Sequence, residues 1–251
     1  DLSEPSVEPE ARAQLRCFRV IANARAGTVL EAGADNFSHR LEEAFAAAGC
    51  RAEIELLPPR QLQERLRTAI EDENIIPVIA GGDGTVNGAL PVLLGCTRPV
   101  GILPLGTVNV LGRDLGLLGT IEERVAALCR GEPVAMDLGS INGRPFHSIS
   151  GMGFFSLMAR EREHARRRFP FSRTIAFVFA ATRSILFTRP IRVAMEIGGE
   201  QRQVEADAVL VTVNQFDGAE WRRNRLDGGQ LEVHILDTGG LLSRAKAALS
   251  M

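Results

Sequence analysis

A chain of 251 residues with 45% hydrophobic side chains is long enough for one large domain or two small ones, each with a core of its own. A formal charge of −2 offers no electrostatic footprint for nucleic acid. Four cysteines, Cys17, Cys50, Cys96 and Cys129, have no C-x-x-C spacing, which argues against a zinc site or a disulfide framework and suits a reducing compartment. No apolar run approaches ~20 residues, so no membrane span is expected. The start shows no signal-peptide pattern, and Asp1 stands where an initiator methionine would; a fragment or a processed form is expected.

Residues 1–14, rich in Glu, Pro, Ser and Ala, read as a tail. A repeating pattern follows. CFRVIANA is a strand, and NFSHRLEEAFAAAG places Phe37, Leu41, Phe45 and Ala48 on one helical face, with Gly49 as the stop. AEIELL is a strand, and PRQLQERLRTAI spaces Leu62, Leu66 and Ile70 four apart, as a helix does. Ile75, Ile76, Val78 and Ile79 form a β-branched run ending in glycines, the mark of a buried strand. Val86, Ala89, Leu90, Leu93 and Leu94 then recur at helical spacing, and Pro91 should kink or shorten that helix. PVGIL is a strand, and TIEERVAALCRG a helix opened by a Thr120–Glu123 capping box. Alternating strands and helices predict an α/β domain with a parallel sheet over 15–136. From 137 the character turns to β. MDLGSINGRPFHSIS reads as a hairpin turning at Asn142-Gly143, and IRVAMEIGGEQRQVEADAVLVTVN as strands turning at Gly198-Gly199. GQLEVHIL is a further strand. A mostly β, sandwich-like domain is expected over 137–251, interrupted by a helical insertion at about 154–188.

The chemistry gathers on three segments that each follow a strand: NARAG, GGDGTVN and PLGT. Ligands of parallel sheets bind at the carboxyl ends of strands, so the three can converge on one edge. Gly81, Gly82 and Gly84 lack a Cβ and let a ligand approach the backbone. Strand, glycine loop and helix start together present N–H groups and a helix dipole to an anion, phosphate first. A tight βα turn that needs glycine only for its geometry is the other reading. For Thr107 and Asn109 the other reading is helix capping.

GGDGTVN, then LPLGTVNVLGRDLGL from Leu103 to Leu117, then MDLGSINGRPF and RLDGGQLEVHIL form an ordered set. This set resembles the diacylglycerol kinase catalytic-domain family, which includes bacterial lipid kinases and sphingosine kinases, across about residues 15–240. The resemblance implies an ATP-dependent lipid kinase that moves the γ-phosphoryl group, with Mg2+, to a lipid hydroxyl. It also implies an α/β nucleotide-binding domain and a β-sandwich domain walling the other side of a cleft. The family's Asn-Pro-x-x-Gly motif falls on Asn23, Arg25 and Gly27, with Ala24 in place of the proline. Its glycine-loop motif falls on Gly81, Gly82, Asp83, Gly84, Thr85 and Asn87, with Gly88 where many members carry glutamate. Its third motif falls on Gly106, Thr107 and Asn109. All of these become candidate nucleotide contacts, and Asp83 the candidate catalytic residue, as base or as magnesium ligand. A dedicated metal site is not legible.

Between Ala159 and Pro190 stand eight arginines, Arg166, Arg167, Arg168 and Arg173 among them, with five phenylalanines and only two glutamates. These arginines are candidates for contact with anionic lipid headgroups or with ATP phosphates; a core helix with a solvated basic face is the alternative. His147 and His164 have no partner pattern. The expected protein is cytoplasmic, bound peripherally at the inner face of the membrane, with a diacylglycerol-like lipid as partner and no nucleic acid. Oligomeric state is not readable, a homodimer included. Two rivals stand: a kinase of a soluble substrate, similar to NAD kinases, and an inactive nucleotide- or lipid-binding module. In the family the chain returns to the first domain with an Asp-Gly-Glu segment. Here Asp227-Gly228 precedes Gly229 and a strand, so tens of C-terminal residues are expected to be missing.

Overall fold

The computed structural model describes residues 16–168, 173–217 and 222–236, with the backbone alone at 162, 163, 166, 167 and 173–176. The expected tail and the helix-like LLSRAKAALS lie outside the described residues. The chain divides into two compact units, Asp1–Val134 and Ala135–Met251.

The first unit runs β1 (Cys17–Asn23), α1 (Gly27–Ala32), α2 (Ala34–Ala47), β2 (Arg51–Leu57), α3 (Pro59–Glu71), β3 (Ile76–Gly81), α4 (Asp83–Leu93), β4 (Gly101–Pro104), α5 (Val110–Asp114) and α6 (Ile121–Arg130). The four strands form one parallel sheet in the order β2-β1-β3-β4, with Val20 level with Ile54 and Val78. Side chains alternate along a strand, so β1 feeds two cores. Phe18, Val20 and Ala22 pack with Phe37, Leu41 and Phe45 of α2 and with Ile121 and Val125 of α6. The Phe18 and Phe45 rings meet at 5.2 Å. Ile21 and Ile79 face the other way, onto Leu62, Leu66 and Ala69 of α3 and Ala89 of α4. The sheet is therefore covered on both faces, as a parallel sheet requires.

The helices begin and end where their residues dictate. Thr120 and Glu123 make both halves of the capping box at the start of α6. Pro59 opens α3, where its missing N–H costs nothing. Gly49, at φ 72°, turns the chain out of α2. Pro91 lies inside α4, and the helix ends two residues later at Leu93. The half-exposed Arg40–Glu122 pair ties α2 to α6 through two hydrogen bonds of 2.5 and 3.0 Å, which hold the Glu122 carboxyl down at about 2. Burial, then a hydrogen bond with Cys50, pushes the Cys129 thiol up to about 12, so it stays protonated among its apolar neighbours.

The second unit runs β5 (Gly139–Ile141), β6 (Arg144–Phe146), β7 (Ile149–Gly153), α7 (Phe154–Arg168), α8 (Arg173–Phe187), β8 (Ile191–Ile197), β9 (Glu200–Ala206), β10 (Ala208–Val213), β11 (Phe216–Asp217), β12 (Arg222–Arg223) and β13 (Leu231–Leu236). Its strands pair antiparallel. β10 lies between β13 and β7, and β5–β6, β8–β9 and β11–β12 are two-stranded ladders. Asn142 and Gly143, at φ 50° and 74°, turn the first hairpin, and Gly198 and Gly199, at 60° and 84°, turn the second. Both turns have the paired positive φ that matches strand twist. Helices α7 and α8 share a core in which Phe154 and Met158 pack with Phe177, Ala181 and Ile185 above Ala208.

Asp137, at the head of this unit, ties three segments together. Its Oδ2 accepts from Gly229 N–H at 2.7 Å and from Asn214 Nδ2 at 3.0 Å, and its own N–H donates to Leu226 at 2.7 Å. Asn214 is left-handed at φ 62° and buried; its Oδ1 accepts from Gln230 N–H at 3.2 Å. A Cβ on Gly228 would sit 2.7 Å from that Oδ1, which accounts for the glycine of LDGG. The Gly229 N–H bond first, then the Asn214 amide, hold the Asp137 carboxyl below its ordinary 3.8. A depressed folded pKa stabilises above the ordinary value, and the contribution is lost as pH falls through the lower one. The melting temperature of wild type should therefore exceed that of Asp137→Asn by a constant margin near neutral pH, and the margin should close as the pH falls below the ordinary carboxyl value. A margin unchanged by acid would remove the charge from this account.

Candidate functional site

Strand order places β1 and β3 side by side, with their crossovers leaving in opposite directions, to β2 and to β4. Parallel sheets bind ligands at the carboxyl ends of their strands beside such a switch point. Asn23 ends β1 and Gly81 ends β3. The expected convergence of the three segments is found here as specific bonds. Asn23 Oδ1 accepts from Arg25 N–H at 2.9 Å, fixing the first loop. Its Nδ2 donates to Thr85 Oγ1 at 2.9 Å, joining that loop to the first turn of α4. A hydroxyl that accepts one bond keeps its own proton to donate. Leu105 N–H donates to Gly81 C=O at 2.8 Å, and Thr28 Oγ1 donates to Leu105 C=O at 3.2 Å, so the third loop is bound to both others.

The glycines divide by cause. None of Gly27, Gly81, Gly82, Gly84 and Gly106 has a positive φ, so none is required by the backbone conformation. A Cβ on Gly81 would lie 2.5 Å from Thr85 Cβ. A Cβ on Gly106 would lie 2.7 Å from Gly82 Cα, backbone against backbone. These glycines let the loops touch. Gly84 and Gly27 differ: both are exposed, and a Cβ on either would meet nothing within 4 Å. Packing does not demand glycine there, and space is left above the backbone.

Gly82 is the N-cap of α4 and makes no side-chain cap bond. The first N–H groups of an α-helix have no acceptor within the helix, and the positive end of its dipole lies there. Asp83, half-buried, is the first residue of that helix, and Asn87 follows one turn later on the same side. Among residues 23–28, 81–88 and 105–109, Asp83 is the sole carboxylate.

Thr107 is exposed at the tip of the third loop. Asn109 is buried and left-handed at φ 52°, and both ends of its amide are committed to Gly106. Its Oδ1 accepts from Gly106 N–H at 2.8 Å, and its Nδ2 donates to Gly106 C=O at 2.7 Å. It stands at the N-cap of α5 but makes no cap bond. The capping reading does not describe it: its side chain closes the loop on itself. Arg25 is exposed. The candidates of the arginine-rich segment stand in the second unit. Arg168 is exposed, while the side chains of Arg166, Arg167 and Arg173 lie outside the described residues.

Three contributors escaped the motif reading. Thr28 is one. Gly112 is the second, because a Cβ there would lie 2.5 Å from the Pro104 ring. Arg124 is the third; its Nη1 donates to Pro104 C=O at 2.6 Å and fixes the exit of β4. An arginine between the core residues Ile121 and Val125 was the available signal. Magnesium commonly takes one or two carboxylates and completes its shell with water and substrate phosphates; Asp83, beside an N–H-lined loop, is the carboxylate here that would hold it. Among the described residues no group of three or more His, Cys, Asp or Glu stands together as a separate metal centre.

Residues 17–141 match the family model described as diacylglycerol kinase catalytic domain, the segment that holds all three loops. The chain belongs to the diacylglycerol kinase catalytic-domain family. It is 34% identical over 163 residues to a Mycobacterium tuberculosis diacylglycerol kinase, a match covering 62% of this chain and 48% of that one. It is 31% identical over 105 residues to the diacylglycerol kinase of Staphylococcus carnosus, covering 41% of this chain and 34% of that one. The chain thus spans half or less of the length of these two relatives. A crystal structure of a diacylglycerol kinase from Bacillus anthracis superposes with a TM-score of 0.65 at 18% identity, over 94% of this chain and 77% of that one. That likeness extends the family fold over both units: a parallel four-stranded sheet with helices, then mostly antiparallel strands.

Proposed function

We propose that this diacylglycerol kinase family member is an ATP-dependent lipid kinase acting on a diacylglycerol-like alcohol. The observation that carries this reading is Gly84. It is exposed on the first turn of α4, with neither a backbone nor a packing reason to be glycine, inside loops laced together by Asn23, Thr85, Leu105 and Gly106. A phosphate chain lying on that backbone accounts for the space. The N–H groups of the helix start and the Thr85 hydroxyl would donate to its oxygens. Bound magnesium, held through Asp83 and the phosphates, would neutralise charge on the transferring group.

In the reaction the lipid hydroxyl oxygen bonds to the γ-phosphorus and the bond to the β–γ bridging oxygen breaks. The products are a lipid phosphate, ADP and one proton. Asp83 would take that proton or hold the cation, and phosphoryl transfer asks for little more than such positioning. The proposed setting is the cytoplasmic face of a membrane, bound peripherally. Among the described residues no helix is long and apolar enough to cross one.

The test is transfer of label from γ-labelled ATP with dioleoylglycerol in detergent micelles, run beside NAD as a soluble acceptor. Label should enter an organic-soluble product whose mass is that of the lipid plus one phosphate. Label moving only to NAD would replace this reading with a soluble-substrate kinase. ATP binding without transfer to either would make the chain a binding module.

A further inference from the structure

Helix α8 is apolar on its outer face as well as on its inner one. Its inward face packs Phe177, Ala181 and Ile185 into the core and buries Ala180 and Ser184 fully. Its outward face carries large apolar residues too. Val178 and Leu186 are each 57% exposed and Phe187 is 62% exposed. On the same arc, the Arg183 guanidinium stands over the Phe179 and Phe187 rings at 5.8 and 5.2 Å and reaches Glu161 at 2.8 Å. Arg183 is the sole charged residue between Phe177 and Thr188. The same chain shows what a water-facing helix looks like: α3 exposes Arg60, Glu64, Arg67 and Thr68 and buries Leu62 and Leu66. An amphipathic helix turns its large apolar residues away from water, so the outward face of α8 is suited to another medium.

Charge selects the medium. Residues 159–190 hold eight arginines against two glutamates, and exposed Arg168 and Arg189 stand at the end of α7 and just past the end of α8. An apolar strip bordered by cations complements acyl chains beneath anionic headgroups. A 15-residue helix is about 22 Å long, too short to span a bilayer and suited to lying along its surface.

We infer that the outward face of α8, through Val178, Leu186 and Phe187, is the surface by which this protein docks on an anionic lipid bilayer. Phe177 packs inward and Phe179 lies beneath Arg183, while two aliphatic residues and Phe187 project. The inference rests on the lipid-kinase reading, but bilayer binding needs no turnover and is tested separately.

The experiment is flotation of the 251-residue chain with vesicles of phosphatidylcholine alone and of phosphatidylcholine with about one part in three phosphatidylglycerol. Wild type should float with the anionic vesicles and less with the neutral ones, and added salt should weaken the difference. Val178→Asp with Leu186→Asp should weaken binding at least about tenfold with the melting temperature unchanged, since neither side chain is buried. Leu30→Asp, equally exposed but in the first unit, should bind as wild type does. In Leu186→Trp, indole emission should shift blue on anionic vesicles and be quenched by brominated acyl chains. Equal flotation of the double variant and wild type would overturn the inference. So would a wild-type dimer that ignores vesicles and is made monomeric by the two substitutions, since a second copy would then cover the face. Vesicle binding with no phosphoryl transfer would sink the kinase reading alone; transfer to a short-chain, water-soluble diacylglycerol by a chain that ignores vesicles would sink the docking face alone.

Discussion

Asp83→Asn should lower phosphoryl transfer at least about a hundredfold while leaving the melting temperature within about a degree of wild type. The substitution is nearly isosteric and falls on a half-buried residue at the first position of α4, so packing changes little. What changes is charge. Asp83 is the sole carboxylate in the three loops, so its loss removes both the group that can take the hydroxyl proton and the group that can hold a divalent cation. ATP affinity separates the two roles. A lost base leaves nucleotide binding in place, whereas a lost cation ligand weakens binding of magnesium–ATP as well. A variant with near-wild-type turnover would return the loop to a structural turn.

Gly106→Ala should cost both stability and activity, and Gly84→Ala activity alone. At Gly106 the added methyl would stand 2.7 Å from both Gly82 Cα and Asn109 Oδ1. Neither is the far end of a flexible chain. Gly82 is backbone, and Asn109 is held by two bonds to Gly106 itself. The loops must part, and the expected penalty is about 1–3 kcal/mol, with nearly all ATP-dependent transfer lost. At Gly84 the methyl meets nothing within 4 Å, and alanine in a helix is favoured over glycine by about 0.5 kcal/mol. Gly84→Ala should therefore melt no lower than wild type and yet bind ATP at least about tenfold more weakly, because the methyl occupies space the phosphates need. Thermal melts and equilibrium titration of ATP–magnesium check both. A Gly84→Ala variant with undiminished affinity would place the phosphates elsewhere.

Much of this architecture was legible because its signals are periodic or local. Phe37, Leu41 and Phe45, four apart, describe the buried face of α2, and Thr120 with Glu123 marks the start of α6. Asn142-Gly143 and Gly198-Gly199 name their own turns through the φ values they must adopt. The short helices α1 and α5, with six and five residues, complete too few turns to show a period. The site was legible as three motifs but not as a connected object. The Asn23–Thr85 bond spans 62 residues, and nothing local to either residue announces it. Asn109 shows the same limit. Its type suits a left-handed position, but its amide's commitment to Gly106 depends on how the loop closes, which the motif does not show. Asp137 was read as part of a hairpin segment, and its bonds to Gly229 and Asn214 depend on partners 92 and 77 residues away.

Amide hydrogen exchange of the 251-residue chain, with and without ATP–magnesium, reads the loops themselves and requires neither turnover nor an acceptor. Nucleotide-dependent protection is expected at residues 24–28, 82–87 and 105–109 together, since the bonds from Asn23 to Thr85, Leu105 to Gly81 and Thr28 to Leu105 make these loops one surface. Protection confined to other segments, or none in these three at saturating nucleotide, would contradict it.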